Sequence, residues 1–274
     1  MKLMYITNNP KIAAVADNAG VDRIFIDMEY IGKELRQGGM DTVQNHHTIE
    51  DIKNIRKVLK HAELLVRINP IHDKTDAYSS TEEEIDEVIK AGADIIMLPY
   101  FKTAKEAERF LKAVGRRCHT VLLFETKAAV ENIDEIIKLK DIDEVFIGLN
   151  DLSLEYGYKF MFEPLANGMV ETMTQKFKNA GIPFGFGGIA SIGNGTLKSE
   201  KILAEHIHLG SDCVILSRSF CNISSDMDIG AVEELFADGV DRIRRYENSY
   251  SSRDEDFFRI NLSEIKSIVD EISK

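Results

Sequence analysis

The chain has 274 residues, of which 44% are hydrophobic and 29% charged, with a formal net charge of -12. That composition supports a sizeable core and excludes a disordered chain, while the acidic balance argues against nucleic acid as the main partner. No apolar run approaches the roughly 20 residues of a membrane-crossing helix, so no membrane partner is expected.

The opening MKLMYITNNPK is interrupted by Thr7, Asn8 and Asn9, which makes it too polar for a secretory signal. Cys118, Cys213 and Cys221 form neither a CxxC pair nor a zinc-ligand spacing. They read as free thiols of a reducing compartment, and the chain is expected in the cytoplasm.

Short apolar runs alternate with amphipathic stretches from end to end. Leu3 to Thr7 is the first expected strand, followed by a helix from Pro10 that stops at Gly20. Arg23 to Glu29 is the second strand. A long polar loop follows, and Thr48 then caps a helix with Ile49, Ile52, Ile55 and Leu59 on one face. Glu63 to Asn69 is the third strand, with a helix over Thr81–Lys90. Asp94 to Tyr100 is the fourth, with TAKEAERFLKAV as its helix. HTVLLFET is the fifth, backed by AVENIDEIIKL. EVFIGLND is the sixth, backed by a helix from about Pro164 to Ala180. Ile182 to Ile189 and Asp212 to Arg218 complete the strands, each with a helix behind it.

Eight strand-then-helix units in about 245 residues suit a parallel (β/α)8 TIM barrel, an α/β fold. The continuously apolar strands fit a sheet covered on both faces. The expected organisation is a catalytic barrel over 1–247 and a C-terminal helical extension over 248–274. The extension carries Phe257, Phe258, Ile260, Ile265 and Val269 at helical spacing, for packing on the barrel or on a neighbouring subunit.

In such barrels the chemistry gathers where the strands end. The ends read Asn8-Asn9, Asp27-Met28-Glu29-Tyr30, Arg67-Ile68-Asn69, Pro99-Tyr100, Glu125-Thr126, Asn150-Asp151, Gly187-Gly188 and Ser217-Arg218. Glu125 and Asp151 are candidate ligands of a hard divalent cation; the alternative is a pair of helix-capping acids. Arg67 suits a substrate carboxylate or phosphate, or else an ion pair with Asp27 or Glu29. Gly187 and Gly188 allow close backbone approach to a ligand. With Arg218 they occupy a position where barrels often hold phosphate, though Arg218 also reads as a surface charge.

Several of these stretches together resemble the HpcH/HpaI family of metal-dependent 2-oxo acid aldolases, related to citrate lyase β subunits. The resemblance runs from about Asn9 to Phe220. It rests on FIDMEY, LLVRINP, AGADIIMLP, LLFETKAAVENIDEI and DEVFIGLNDLSLEYG, with GFGGIA and a strand-eight VIL behind them. It implies Mg2+ or Mn2+ on Glu125 and Asp151, and a 2-oxo acid such as pyruvate chelating that ion. It implies that Arg67 stabilises the enolate oxygen and that amides near Asn150 and Asp151 cradle the substrate carboxylate. An aldehyde partner and a homo-oligomer are also implied.

Two departures stand out. The family has an acid-x-acid-His pattern after the second strand, and here Tyr30 takes the histidine's place. A tyrosine with a pKa of about 10 is a poor base at neutral pH. A bound water, Tyr30, His46 or His47 must then move the proton, with Asp27 and Glu29 orienting metal-bound water. The second departure is Arg218, which points to an anionic partner such as a phosphorylated aldehyde or a sugar acid. A citrate-lyase-like enzyme, acting on an acyl-CoA or condensing a 2-oxo acid with a carboxylic acid, and a non-catalytic binding barrel are the competing readings. The first lacks an evident basic patch, and the second leaves a costly charged cluster without a reason.

Overall fold

The structure is a computed structural model that describes residues 1–32, 46–221 and 227–274, without the Arg218 side chain. Most of the long loop after the second strand lies outside the described residues, as do the proposed contacts of Arg218.

Eight parallel strands close into a barrel in sequence order. They are β1 Lys2–Ile6, β2 Arg23–Asp27, β3 Glu63–Arg67, β4 Ile95–Leu98, β5 His119–Phe124, β6 Glu144–Ile147, β7 Phe184–Ile189 and β8 Cys213–Leu216. Each is continuously apolar through its middle because both of its faces are covered. One face packs inside the barrel, where Met4, Phe25, Leu65, Met97, Leu123 and Phe146 fill the interior. The other packs against the helices in a larger outer core.

The helices are α1 Pro10–Asn18, α2 Ile49–Arg56, α3 Thr81–Ala91, α4 Ala104–Val114, α5 Lys127–Glu131, α6 Ile133–Ile136, α7 Leu149–Glu155, α8 Glu163–Ala166, α9 Met169–Ala180, α10 Ser199–His208, α11 Ile229–Tyr250 and α12 Glu255–Ile272. Local chemistry sets their ends. Capping boxes open α2 (Thr48 with Asp51), α3 (Ser80 with Glu83) and α4 (Thr103 with Glu106). Left-handed Gly92 closes α3, as such a cap requires.

Three expectations change. The sixth strand stops at Ile147, and Asn150 and Asp151 lie in the first turn of α7 rather than at the strand's end. The helix expected behind the fifth strand is broken at Asn132 into α5 and α6. The helix expected from Pro164 is broken into α8 and α9 at Gly168, whose φ of 86° leaves the helical region.

The C-terminal helix α12 lies on the outside of its own barrel, against α8 and α10. It buries Phe258, Ile265 and Val269. Among the described residues no helix is long and apolar enough to cross a membrane.

Candidate active site

The registers decide which side chains meet at the carboxyl-terminal rim. Asp27 pairs with Arg67 across β2 and β3, and Phe124 with Ile147 across β5 and β6. Glu125 and Gly148 are therefore neighbours just past two adjacent strands, with α7 starting beside them.

The acids at this rim are withdrawn from water: Asp27 is 1% exposed, Glu29 0%, Glu125 2% and Asp151 6%. Arg67, 16% exposed, faces them. Its Nε and Nη2 donate to the two oxygens of Asp27, both at 2.9 Å, and Nε stands 3.4 Å from Glu29 Oε2. The guanidinium also lies over the Phe25 ring at 5.6 Å. Burial opposes its charge, but Asp27 and Glu29 outweigh burial and hold its pKa above the usual arginine value. The ion-pair reading of Arg67 is thus realised, with the guanidinium standing at the rim.

Glu125 is the electrostatic oddity. Burial, then the nearby charges of Glu29 and Asp151, push its pKa well above the carboxylate range, against smaller help from Arg67 and an amide. That amide is Tyr100 N–H, which donates to Oε1 at 2.9 Å. Glu125 fits because residue 148 has no side chain. A Cβ there would stand 2.8 Å from Glu125 Oε2 and 2.9 Å from its Cβ, closer than such contacts allow.

The proton-moving candidates separate. His46 is exposed, whereas His47 is buried beside Asp27. His47 Nδ1 accepts the Asp27 N–H at 3.0 Å, and its own amide donates to Asp27 O at 3.4 Å. With Nδ1 accepting, the ring hydrogen of the neutral imidazole sits on Nε2. Tyr30 is 38% exposed and its ring packs on Tyr78 at 5.8 Å. Burial, Glu84 and Tyr78 raise its pKa further, which argues against a phenolate base.

Asn150 is exposed. Gly187 has φ 52°, and a Cβ there would strike Leu149 at 2.7 Å; one at Gly188 would come within 3.1 Å of Ile215 O. The barrel's own atoms therefore account for the close approach at both glycines. Arg218 opens a short 3-10 turn, Arg218–Phe220.

Sequence reasoning gave three contributors no role. Gly148 was legible only as the glycine of IGLND. The Tyr100 amide carries no side-chain signal at all. Asn69, 2% exposed, accepts the Tyr30 and Ile31 amides at 3.0 Å each and donates from Nδ2 to Glu84 at 2.8 Å. It holds the segment after β2 in place.

Among the described residues no group of three or more His, Cys, Asp or Glu side chains is close enough to hold a metal by itself. A two-carboxylate site with oxygen donors only fits the structure better. Glu125 and Asp151 repel each other in a buried setting, and a divalent cation between them would reverse that repulsion.

The family model for HpcH/HpaI aldolase/citrate lyase matches residues 2–205. The 2-keto-3-deoxy-L-rhamnonate aldolase of Escherichia coli K12 is 24% identical over 211 residues, covering 65% of this chain and 71% of that protein. The protein of that name from Shigella sonnei matches to the same extent. Among solved structures, the HpcH/HpaI aldolase of Desulfitobacterium hafniense has a TM-score of 0.59 at 17% identity, covering 89% of this chain and 92% of that one. A family protein from Burkholderia cenocepacia has a TM-score of 0.61 at 14% identity, covering 89% and 94%. At such identities the likeness of these structures is one of fold.

Proposed function

The chain belongs to the HpcH/HpaI aldolase/citrate lyase family, and from that premise we propose that it is a divalent-metal-dependent carbon–carbon lyase acting through a pyruvate-type enolate. The observation that carries this reading is a buried rim at which Glu125 feels the charges of Glu29, Asp151 and Arg67 together.

Glu125 and Asp151 would hold Mg2+ or Mn2+. A magnesium-type ion commonly takes one or two carboxylates and leaves its remaining positions to water and substrate. Bound there, it would supply Lewis-acid polarisation of the keto oxygen of a 2-oxo acid. Lyase chemistry at a 2-keto-3-deoxy sugar acid, the class named by the E. coli relative, breaks the bond between C3 and C4. The C4 hydroxyl loses its proton, its electron pair forms the aldehyde, and the bonding pair moves through C3 to the C2 oxygen. Protonation at C3 then releases pyruvate.

The chain's own residues meet the demands of that sequence. Arg67 faces the developing negative oxygen, and its interaction strengthens as charge builds there. Asp27 holds both guanidinium arms, so the fork is oriented before substrate arrives. His47 is the group that moves the proton from its Nε2 side, taking the role that Tyr30 is poorly suited to fill.

Three further features belong to this reading. The aldehyde partner is anionic, met by Arg218. The protein works in the cytoplasm, as its free cysteines suggest. It self-associates through the exposed Ile229 and Leu235 of α11 and Ile260 of α12.

The test is pyruvate release from a panel of 2-keto-3-deoxy sugar acids, together with deuterium exchange of the pyruvate methyl group. Both should stop with EDTA and return with Mg2+ or Mn2+. Exchange that persists in chelator overturns the metal-dependent reading.

A further inference from the structure

Tyr100 has φ 48°, a left-handed conformation that a bulky aromatic residue rarely adopts. Strained backbone of this kind persists where surrounding contacts over-determine it, and here they do. The Tyr100 amide donates to Glu125 Oε1 at 2.9 Å. The next carbonyl, Phe101 O, accepts the Thr126 hydroxyl at 2.7 Å, and Lys102 O accepts the Asn132 amide at 3.1 Å. Three consecutive residues after β4 are therefore tied to the segment that carries Glu125. The side chain leaves in another direction. Its phenol donates to Glu155 Oε1 at 2.6 Å, and the Lys102 ammonium lies 5.3 Å from its ring. Glu155 is the last residue of α7, one turn beyond Asp151 and so on the same side of that helix.

One residue thus touches both elements that bear the candidate ligands. Its amide holds the Glu125 carboxylate, and its phenol holds the helix that presents Asp151. Glycine would take this conformation without strain and would still offer the amide. The tyrosine adds the bridge to α7.

We propose that Tyr100 is a positioning residue that fixes Glu125 and Asp151 at the separation a divalent ion needs. The proposal rests on the metal-site reading given above, and it concerns affinity and geometry rather than direct contact with substrate.

The experiment measures free Mn2+ by electron paramagnetic resonance during titration of the wild type, Y100F, Y100G, E155A and Y100F/E155A, with melting temperatures alongside. Each single substitution should weaken Mn2+ binding by about tenfold, as supporting residues at metal sites do. The double variant should lose no more than either single one, because Y100F removes the donor and E155A the acceptor of the same hydrogen bond. Melting temperature should change little, whereas a merely structural role would move it and leave Mn2+ affinity alone. Wild-type affinity in Y100F and E155A overturns the proposal. A second arm uses protein freed of metal by chelator and follows hydrogen exchange at the Tyr100 amide. Exchange should be about tenfold faster in Y100F and E155A, and equal rates overturn the clamp. Should the wild type itself bind no Mn2+, the metal-site reading falls, and the exchange arm alone decides whether the clamp exists.

Discussion

The barrel holds an ion-paired arginine at each end, and the two are built differently. At the amino-terminal end Arg23 is fully buried. Its Nη1 and Nη2 donate to the two oxygens of Glu144 at 2.7 and 2.9 Å, and its Nε to Glu63 at 3.0 Å. Cys213 Sγ adds a donor to Glu144 at 3.1 Å. Burial alone would raise the Glu144 pKa, but His119 and Arg23 outweigh it and bring the group down to about 2. This end is a matched plug. At the carboxyl-terminal end Arg67 is also held bidentately, by Asp27, but Glu29, Glu125 and Asp151 crowd the same rim and Glu125 is driven the other way. Charge is matched at the end that holds the barrel together and mismatched at the end where a ligand is proposed. Natural sites commonly sacrifice stability in this manner.

The sharpest way to break that comparison is to neutralise the rim. E125Q and D151N should each lower kcat/KM by about a thousandfold or more, the scale of removing a group that stabilises charge in the transition state. Their urea midpoints should match or exceed that of the metal-free wild type, since a buried like-charge contact is relieved. A clear loss of stability in both variants would make the rim acids structural and dissolve the contrast.

At the other end the pattern should invert. R23A leaves Glu144 buried without its partner, and breaking one side of a buried pair costs about 3–5 kcal/mol. Chemical denaturation should show that loss, while activity per folded molecule stays near the wild-type value. A fall in activity with unchanged stability would mean that the plug communicates with the rim.

Between these lies Gly148. G148A pushes a methyl group into Glu125, whose nearest atoms would stand at 2.8 and 2.9 Å. Moving a ligand by part of an ångström should lower kcat/KM by about a hundredfold, with Mn2+ affinity falling in step. Unchanged Mn2+ affinity would show that Glu125 is not a ligand.

How much of this could be read beforehand follows from the same residues. The strands were legible because both faces of each are covered, so apolar runs such as Val121 to Phe124 stand out. The helix starts were legible because capping chemistry is local, as with Thr48 and Asp51. Arg67 and the rim acids were legible as charged residues at the ends of apolar runs. The end of β6 was not, because Ile147 gives way to a helix where Gly148 must clear Glu125, a contact between residues 23 positions apart in chain order. The split of Pro164–Ala180 was hidden because one left-handed glycine inside a helical pattern looks like a tolerated interruption. Tyr100 was opaque for the opposite reason, since its side chain carries no signal for positive φ. The difference between His46 and His47 depends on how the loop returns to Asp27, which no periodicity encodes.

A buried carboxylate away from both ends tests whether pairing rather than burial sets the balance. Glu205 of α10 is 2% exposed, and Glu144 is 4% exposed. Its bond is to an amide, Asn261 Nδ2 of α12 at 2.7 Å, not to a guanidinium. Burial raises its pKa from 4.5 to about 7, only partly offset by Asn261. The two glutamates should therefore respond to pH with opposite sign. Glu144, depressed in the fold, contributes stability above about pH 4.5 that is lost as the pH falls toward about 2. Glu205, raised in the fold, contributes fully below about pH 4.5 and loses that contribution as the pH climbs toward about 7. Glutamine keeps the acceptor for Asn261 and carries no charge. E205Q should match the wild type near pH 4.5 and exceed it above pH 7 by a margin on the order of 3 kcal/mol, the scale of such a shift. Urea midpoints of both proteins from pH 5 to pH 8 measure this directly. Parallel curves across that range would mean that α12 moves away from α10 to let Glu205 ionise in water, and burial without a cation would then cost this fold nothing.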